Sequence, residues 1–289
     1  MDLLLTQTLN GCVYGVLLFL MAAGLTLIFG LMGVVNLAHG SFFMLGAFFG
    51  LSIIKLTGSF WWALLLAPLP VALVAVVVET VFLRRLYARP RLDQVLLTFG
   101  ISFIITDLTE SFWGKGLFGI SEPAALGSSV NVFGSVFPLY RLALLGFGLV
   151  CAGVLWLLIA GTRAGAMVRA GVDDSATAMG IGLNVPLLLT ATFAIGGALA
   201  GLAGVVAAPL LGVYSGVDVA VLIPAFIVIV VGGMGSLKGA FVASLAIGLA
   251  DTFGKAYLPD FSMFLIYAPL LLLLLLRPHG LFGQDPAGG

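Results

Sequence analysis

LNGCVYGVLLFLMAAGLTLIFGL, residues 9–31, decides the fold class. The run carries no charge, and as a helix rising 1.5 Å per residue it reaches roughly 34 Å. A hydrocarbon core of ~30 Å needs no more than that. The rest of the chain follows suit: 62% of its 289 residues are hydrophobic and 8% are charged, with a mean hydropathy of +1.24. A soluble domain carries about 25% charged residues, so this chain lacks the polar surface to face water on all sides. It reads as an integral membrane protein. Long apolar runs broken by short polar links predict an all-α polytopic bundle rather than a barrel of alternating strands.

Outward from Leu9–Leu31, further spans are expected at 40–54, Phe60–Leu83, Val95–Phe112, Leu139–Ala160 and Val185–Leu211. Three more follow at 219–231, 240–254 and Phe261–Leu276, making about eight or nine membrane helices in one domain over 1–289. The runs at 219–231 and 240–254 reach only about 20 Å each as helices. They read as halves of a re-entrant hairpin or as tilted spans in thin membrane. A polar-leaning stretch, 113–138, is expected as an external loop.

Cations orient the bundle. Arg84, Arg85, Arg89, Arg91, Arg163, Arg169, Lys238 and Arg277 fall on one side, and Lys55, Lys115, Arg141 and Lys255 on the other. Eight against four predicts the first side as cytoplasmic, with the N-terminus outside and the C-terminus inside. The start, MDLLLTQTLN, has no basic residue, so the first apolar run is expected to be retained rather than cleaved as a signal. Zero net charge leaves no nucleic-acid footprint. Cys12 and Cys151 lie in apolar runs and read as small core residues. No cofactor or metal is called for.

Within the apolar segments, Asp107 with Glu110 near a span end, Asp251 four before Lys255, and Glu79 beside Arg84 and Arg85 read as interfacial or paired groups. Asn36 and His39 in VVNLAHGSFFMLG (34–46) stand beside a helix break expected near Gly30–Gly33. Asn36 caps the next helix near His39, or both residues with Ser41 line a path through the membrane or a gate facing the cytoplasm, and both can hold, since a broken helix is tolerated where it lines a cavity. They are expected in the first turns of that helix, close to the cytoplasmic interface. GLMGVVNLAHGSF (30–42) and VVGGMGSLKGAF (230–241) also resemble each other, a sign of an internal repeat with interrupted helices. Gly233, Gly235 and Ser236 join Asn36, His39 and Ser41 as path or gate candidates on that ground. Small-xxx-small pairs Gly11/Gly15, Gly46/Gly50, Gly197/Gly201 and Gly235/Gly239 suit close helix packing in lipid.

The link 161–185, GTRAGAMVRAGVDDSATAMGIGLNV, is long and is not apolar enough to insert. Asp173 or Asp174 could cap a short helix over DSATAMG that stops at Gly180 or Gly182, and Pro186 suits the first turn of the following span. The link is either an ordinary ordered loop or a helix held against the membrane face to receive force from a partner.

Its pattern, Arg169-Ala170-Gly171-Val172-Asp173-Asp174 and then Gly182-Leu183-Asn184-Val185, resembles permeases of branched-chain amino acid ABC transporters. TFAIGGALAGLAGVVAAP (192–209), GLTLIFGLMGVVNLAHGSFFMLGAF (24–48), VVGGMGSLKGAFVASLAIGLAD (230–251) and RPHGLFG (277–283) are similar to that family too, in order along nearly the whole chain. The likeness is to the LivH type rather than its LivM partner, whose extra N-terminal spans are lacking here. The resemblance implies a non-catalytic permease subunit of the bacterial inner membrane. It implies as partners a second, related permease, two cytoplasmic ABC ATPases and a soluble substrate-binding protein. It makes Arg163, Arg169, Ala170, Asp173, Asp174, Gly182 and Asn184 the ATPase-coupling residues. Two departures stand out: Gly180-Ile181 where many relatives have Ala-Leu, and Ser41 where several carry Glu. The second leaves the solute open to urea, short amides or aromatic acids.

GGMGSLKGA (232–240) is no phosphate loop, because Lys238 is followed by Gly239-Ala240 rather than Ser or Thr. ATP hydrolysis therefore falls to other subunits. A secondary transporter or channel would carry a central ionisable coupling group, and the spans as drawn show none. An intramembrane enzyme has no His/Asp/Glu cluster at metal-ligand spacing, with His39 and His279 far apart.

Overall fold

A computed structural model describes every residue except Met1, Phe133, Asp174, Ile266, Pro278, His279 and 283–289. His279 therefore lies outside the described residues, as does Asp174. With no water in a bilayer core to serve N–H and C=O groups, helices that satisfy their own backbones are the economical solution. Among the described residues, seven helices are long and apolar enough to cross a membrane. These are α1 (Asp2–Met32), α2 (His39–Thr57), α3 (Phe60–Leu86) and α4 (Arg91–Trp113). After the 113–138 loop comes α5 (Leu139–Gly161). Two short helices, α6 (Arg163–Asp173) and α7 (Ser175–Gly180), fill the link. Then come α8 (Val185–Leu211), the shorter α9 (Val217–Gly232) and α10 (Leu237–Tyr257). The chain ends in α11 (Ser262–Leu265) and α12 (Ala268–Leu276).

Two expectations need correction. The run drawn at 240–254 belongs to a 21-residue helix. Ser236 caps it three residues before Gly239, so Lys238 lies inside the helix rather than before it. The last expected span, Phe261–Leu276, is in pieces. Pro269 sits in the first turn of α12, and a proline lacks the N–H that would continue a preceding helix. The 113–138 loop also holds a small antiparallel hairpin, β1 (Ser129–Val132) and β2 (Ser135–Pro138), with Val130 opposite Phe137.

Packing falls into two matching sets. In the first, α1 runs against α10 and α2 against α8, while α2 touches α3 and α4. In the second, α8 runs against α3 and α9 against α1, while α9 touches α10 and α12. Exchanging α1 with α8, α2 with α9, α3 with α10 and α4 with α12 maps one set onto the other. The α1 and α8 helices run in opposite directions, since Gly24 meets Gly196 while Leu17 and Leu211 line one cavity. This is an inverted-topology repeat, an arrangement found in many transporters. It differs from the one read from sequence, because the stretches at 30–42 and 230–241 are not equivalents. They meet each other instead, with Gly235 against Gly30.

Glycine makes these contacts possible. A methyl on Gly46 would strike the Gly201 backbone, and one on Gly248 would strike Gly11 and Gly15. Van der Waals contact between backbones replaces the hydrophobic drive that lipid does not supply.

Candidate functional site

Both members of the repeat interrupt their helices. After α1 the chain runs without helix from Gly33, at φ +62°, to Ala38, and α2 starts only at His39. The Asn36 side chain accepts from the Ala38 N–H at 3.1 Å, and Thr98 on α4 accepts from the Leu37 N–H at 3.1 Å. Asn36 therefore bonds an amide beside His39 as expected, but it does not cap α2: it lies in the break, and the N-cap residue is Ala38, with no side-chain cap bond. After α8 the break spans Gly212–Gly216, and α9 begins at Val217.

The two interrupted helices start at the same place. His39 Nε2 lies 3.1 Å from the carbonyl of Met21, two-thirds of the way along α1, and Gly40 packs on the Asp218 carbonyl. Across this junction Ser41 Oγ and Thr106 Oγ1 each donate to Asp218 Oδ2, both at 3.2 Å. The carboxylate so ties the first turn of α9 to α2 and α4. An anion at a helix N-terminus is also favoured by the helix dipole. Asn36, His39 and Ser41 are fully buried and Asp218 nearly so. The expected shallow position of Asn36 and His39 is thus wrong: the break folds back into the bundle and carries them inward. Asn36 Nδ2, His39 Nδ1 and Asp218 Oδ1 have no hydrogen-bond partner among the described residues.

Sequence reading missed Asp218 because it began the span at 219, one residue after it. The available signal was Ser215-Gly216 followed by an acid in the first turn of an apolar run. Asp218 also removes the argument that no ionisable group stands inside the bundle. Gly233, Gly235 and Ser236 do not join this junction. They form the turn between α9 and α10, where Gly233 and Gly235 take φ of +100° and +85°. Ser236 accepts from the Gly239 N–H at 3.1 Å.

At the end of the bundle away from the start of α1 lies the link between α5 and α8. The expected short helix is present as α7, preceded by α6, which sequence reading did not anticipate. Gly182, at φ +91°, closes α7: its N–H bonds Met179 O and that of Leu183 bonds Ala178 O, both at 3.0 Å. This pair of bonds is the Schellman stop. Asn184 accepts from the Leu187 N–H at 3.1 Å and caps α8. Arg163 opens α6, Ala170 lies within it, and Asp173 is its last residue. The Arg169 guanidinium donates to the Ile159 carbonyl in the last turn of α5, where a cation suits the dipole.

Close by, Glu79 is fully buried and receives Arg84 (3.2 and 3.0 Å), Tyr87 Oη (2.7 Å) and Thr190 Oγ1 (2.8 Å). Arg84 also donates to Thr190. The expected pairing of Glu79 is with Arg84. Burial, and then the bond to Glu79, hold the Tyr87 hydroxyl above its ordinary pKa. This cluster locks α3 to the second turn of α8. The other expected pair, Lys255 with Asp251, forms as well at 2.6 Å, and Glu110, read only as an interfacial group, pairs with Lys115 at 3.0 Å. Among the described residues no three His, Cys, Asp or Glu side chains converge on a possible metal position.

A family model described as branched-chain amino acid transport system, permease component, matches residues 7–274. The chain is 29% identical to the high-affinity branched-chain amino acid transport system permease protein LivH of Escherichia coli K12, over 97% of this chain and 96% of that one. It is 28% identical to the corresponding protein BraD of Pseudomonas aeruginosa, with the same coverage. Identity to the probable LivH permease of Methanocaldococcus jannaschii is 26%, over 94% and 90% of the two chains. No solved structure matches.

Proposed function

This chain belongs to the branched-chain amino acid transport permease family, and on that premise we propose that it is the translocation subunit of an ATP-driven importer of branched-chain amino acids in a bacterial inner membrane. It performs no chemistry on the solute. A second, related permease completes the path, a soluble binding protein delivers the amino acid, and two ATPases supply the energy.

The observation that carries the reading is the α6–α7 pair. It is held between the end of α5 and the start of α8, at the end of the bundle opposite the four minority cations. At that opposite end Lys255 and Arg141 stand beside Asn10 near the start of α1, and Lys55 lies over Phe118, which bridges to Val213 just past α8. The arginine-rich end is then cytoplasmic, and α6–α7 faces the ATPases. Only Ile181–Asn184 separate the α7 helix from α8, so displacement of α7 passes into α8. Through Thr190 and Glu79 it reaches α3, and through the close glycine contacts it reaches α2. At the far end of that chain sits the Ser41–Asp218–Thr106 junction, a seal that yields when α2 and α9 part. Asp218 would equally serve an ion-coupled transporter, but membership of the permease family favours the ATP-driven reading.

Reconstitution tests it. Proteoliposomes containing this chain, its partner permease, the ATPases and the binding protein should accumulate radiolabelled leucine only with ATP on the ATPase side. Uptake that continues without ATP or without ATPases would overturn the importer reading.

A further inference from the structure

Two neighbouring cavities, the first at the outer end of the bundle, have Tyr14, Leu17 and Leu211 as lining residues in common. The upper one, about 500 Å³, lies among α1, α5, α8 and α10 and is edged by Asn10, Arg141, Asp251 and Lys255. The lower one, about 140 Å³, is walled by Leu18, Met21, Phe43, Ala207 and Val221. Its deep end is Met21, whose carbonyl meets His39, and Val217, the neighbour of Asp218. The pair thus descends from the mouth to the central junction and stops there.

The chemistry of the two compartments differs. In the upper one the Asp251 side chain is 3% exposed, and only Oδ2 is engaged, by Lys255; Oδ1 has no partner among the described residues. Lys255 is 62% exposed and lies 5.5 Å from the Tyr14 ring, so its flexible stem forms a movable cover over the carboxylate. Arg141 donates Nη1 to the Asn10 amide oxygen at 2.6 Å, a neutral partner that leaves its remaining donors and its charge for an anion. The lower compartment has space for about four or five water-sized groups, taking about 30 Å³ for each, which is the bulk of a four-carbon aliphatic side chain.

We propose that these adjoining cavities are a transient solute site for a zwitterionic amino acid with a branched aliphatic side chain, its ammonium at Asp251, its carboxylate at Arg141 and its side chain in the pocket bounded by Phe43, Ala207 and Val221. The proposal rests on the importer reading above and gives that reading a place where the solute waits before the central junction opens. An apolar cavity with a few convergent polar groups is the usual form of a small-molecule site, and the opposite charges here select for a solute bearing both.

The test is equilibrium binding of tritiated leucine to the assembled importer, purified without its binding protein. Competitors are 4-methylpentanoate, which lacks the ammonium, and isoamylamine, which lacks the carboxylate. Each should compete at least tenfold more weakly than leucine. Asp251→Asn should weaken leucine at least tenfold and leave 4-methylpentanoate unchanged, and Arg141→Gln should weaken leucine and leave isoamylamine unchanged. A merely structural role would weaken all three ligands together. Val221→Trp should fill the pocket and remove leucine binding from an intact complex. Wild-type binding in all three variants, or no binding by an importer that does take up leucine, would overturn the site while the importer reading stands. Failure of the wild-type assembly to take up any amino acid with ATP would strike the importer reading itself.

Discussion

Ser41 donates its hydroxyl to Asp218 Oδ2 across 3.2 Å, joining the first turn of α2 to the first turn of α9. The two residues are 177 positions apart in sequence and occupy nearly equivalent places in the inverted repeat. Ser41→Ala leaves the buried carboxylate with Thr106 alone. A hydrogen bond to a charged group contributes about 1.5–3 kcal/mol, and the variant should lose stability on that scale in chemical unfolding from detergent. Ser41→Glu sets a second carboxylate against Asp218 and should be more damaging still. An S41E protein as stable as S41A would show that the two side chains do not meet.

Glu79 and Arg84 predict an asymmetry. Glu79 is fully buried, whereas the Arg84 side chain is 41% exposed. Arg84→Ala strands a buried anion that Tyr87 and Thr190 only partly serve, and breaking a buried pair costs about 3–5 kcal/mol. The two remaining donors place the expected loss at the lower end, about 3 kcal/mol. Glu79→Gln keeps one acceptor oxygen, turns the other into an NH2 group that a rotated Tyr87 or Thr190 hydroxyl can accept from, and frees Arg84 to turn to water, so its loss should be about 1 kcal/mol. Comparing the two variants in one unfolding series decides the matter; equal losses contradict the buried-anion account.

How much of this could be read in the chain depended on the range of the interaction. The membrane class, most helix positions, the Gly182 stop and the Glu79–Arg84 and Asp251–Lys255 pairs all rest on residues at most a few turns apart. The Asp218 junction rests on three helices distant in sequence. The inverted repeat left no mark on residues 30–42 and 230–241, because a repeat of topology constrains helix order and break placement rather than side chains. Asn36 and His39 looked shallow when the link after α1 was drawn as a surface turn. Its fold back into the bundle is stitched by Thr98 on α4, 61 residues from Leu37.

Glycines sort into two classes by what surrounds them. A methyl group added to Gly46 in α2 would meet the Gly201 backbone, whereas one added to Gly100 in α4 or Gly153 in α5 would meet nothing within 4 Å among the described residues. Gly46→Ala should force α2 from α8 and cost about 1–3 kcal/mol as overpacking. Gly100→Ala and Gly153→Ala should be neutral or gain up to about 1 kcal/mol from helix propensity. Unfolding midpoints of the three variants give the ranking, and a harmless Gly46→Ala would contradict the close packing of α2 on α8.

Arg169 offers the sharpest test of the link as a force-bearing element. Its guanidinium holds α6 to the last turn of α5 through the Ile159 carbonyl. Arg169→Glu replaces that donor with a second negative group beside a helix C-terminus, an unfavourable placement worth about 0.3–1 kcal/mol. That is too little to unfold a chain whose core lies elsewhere, so membrane insertion and the detergent-purified yield should be unchanged. Coupling should suffer far more, because a loosened α6 no longer holds α7 where a partner can push on it. Uptake by the reconstituted importer should fall at least tenfold, and the ATPases should co-purify poorly. Arg169→Lys, which keeps the charge and one donor, should recover part of both. Asp174→Lys probes the same link beyond α6 and should also lower uptake. Normal ATP-driven uptake in both Arg169→Glu and Asp174→Lys would remove 163–185 from the coupling mechanism and leave α6–α7 as a plain connection.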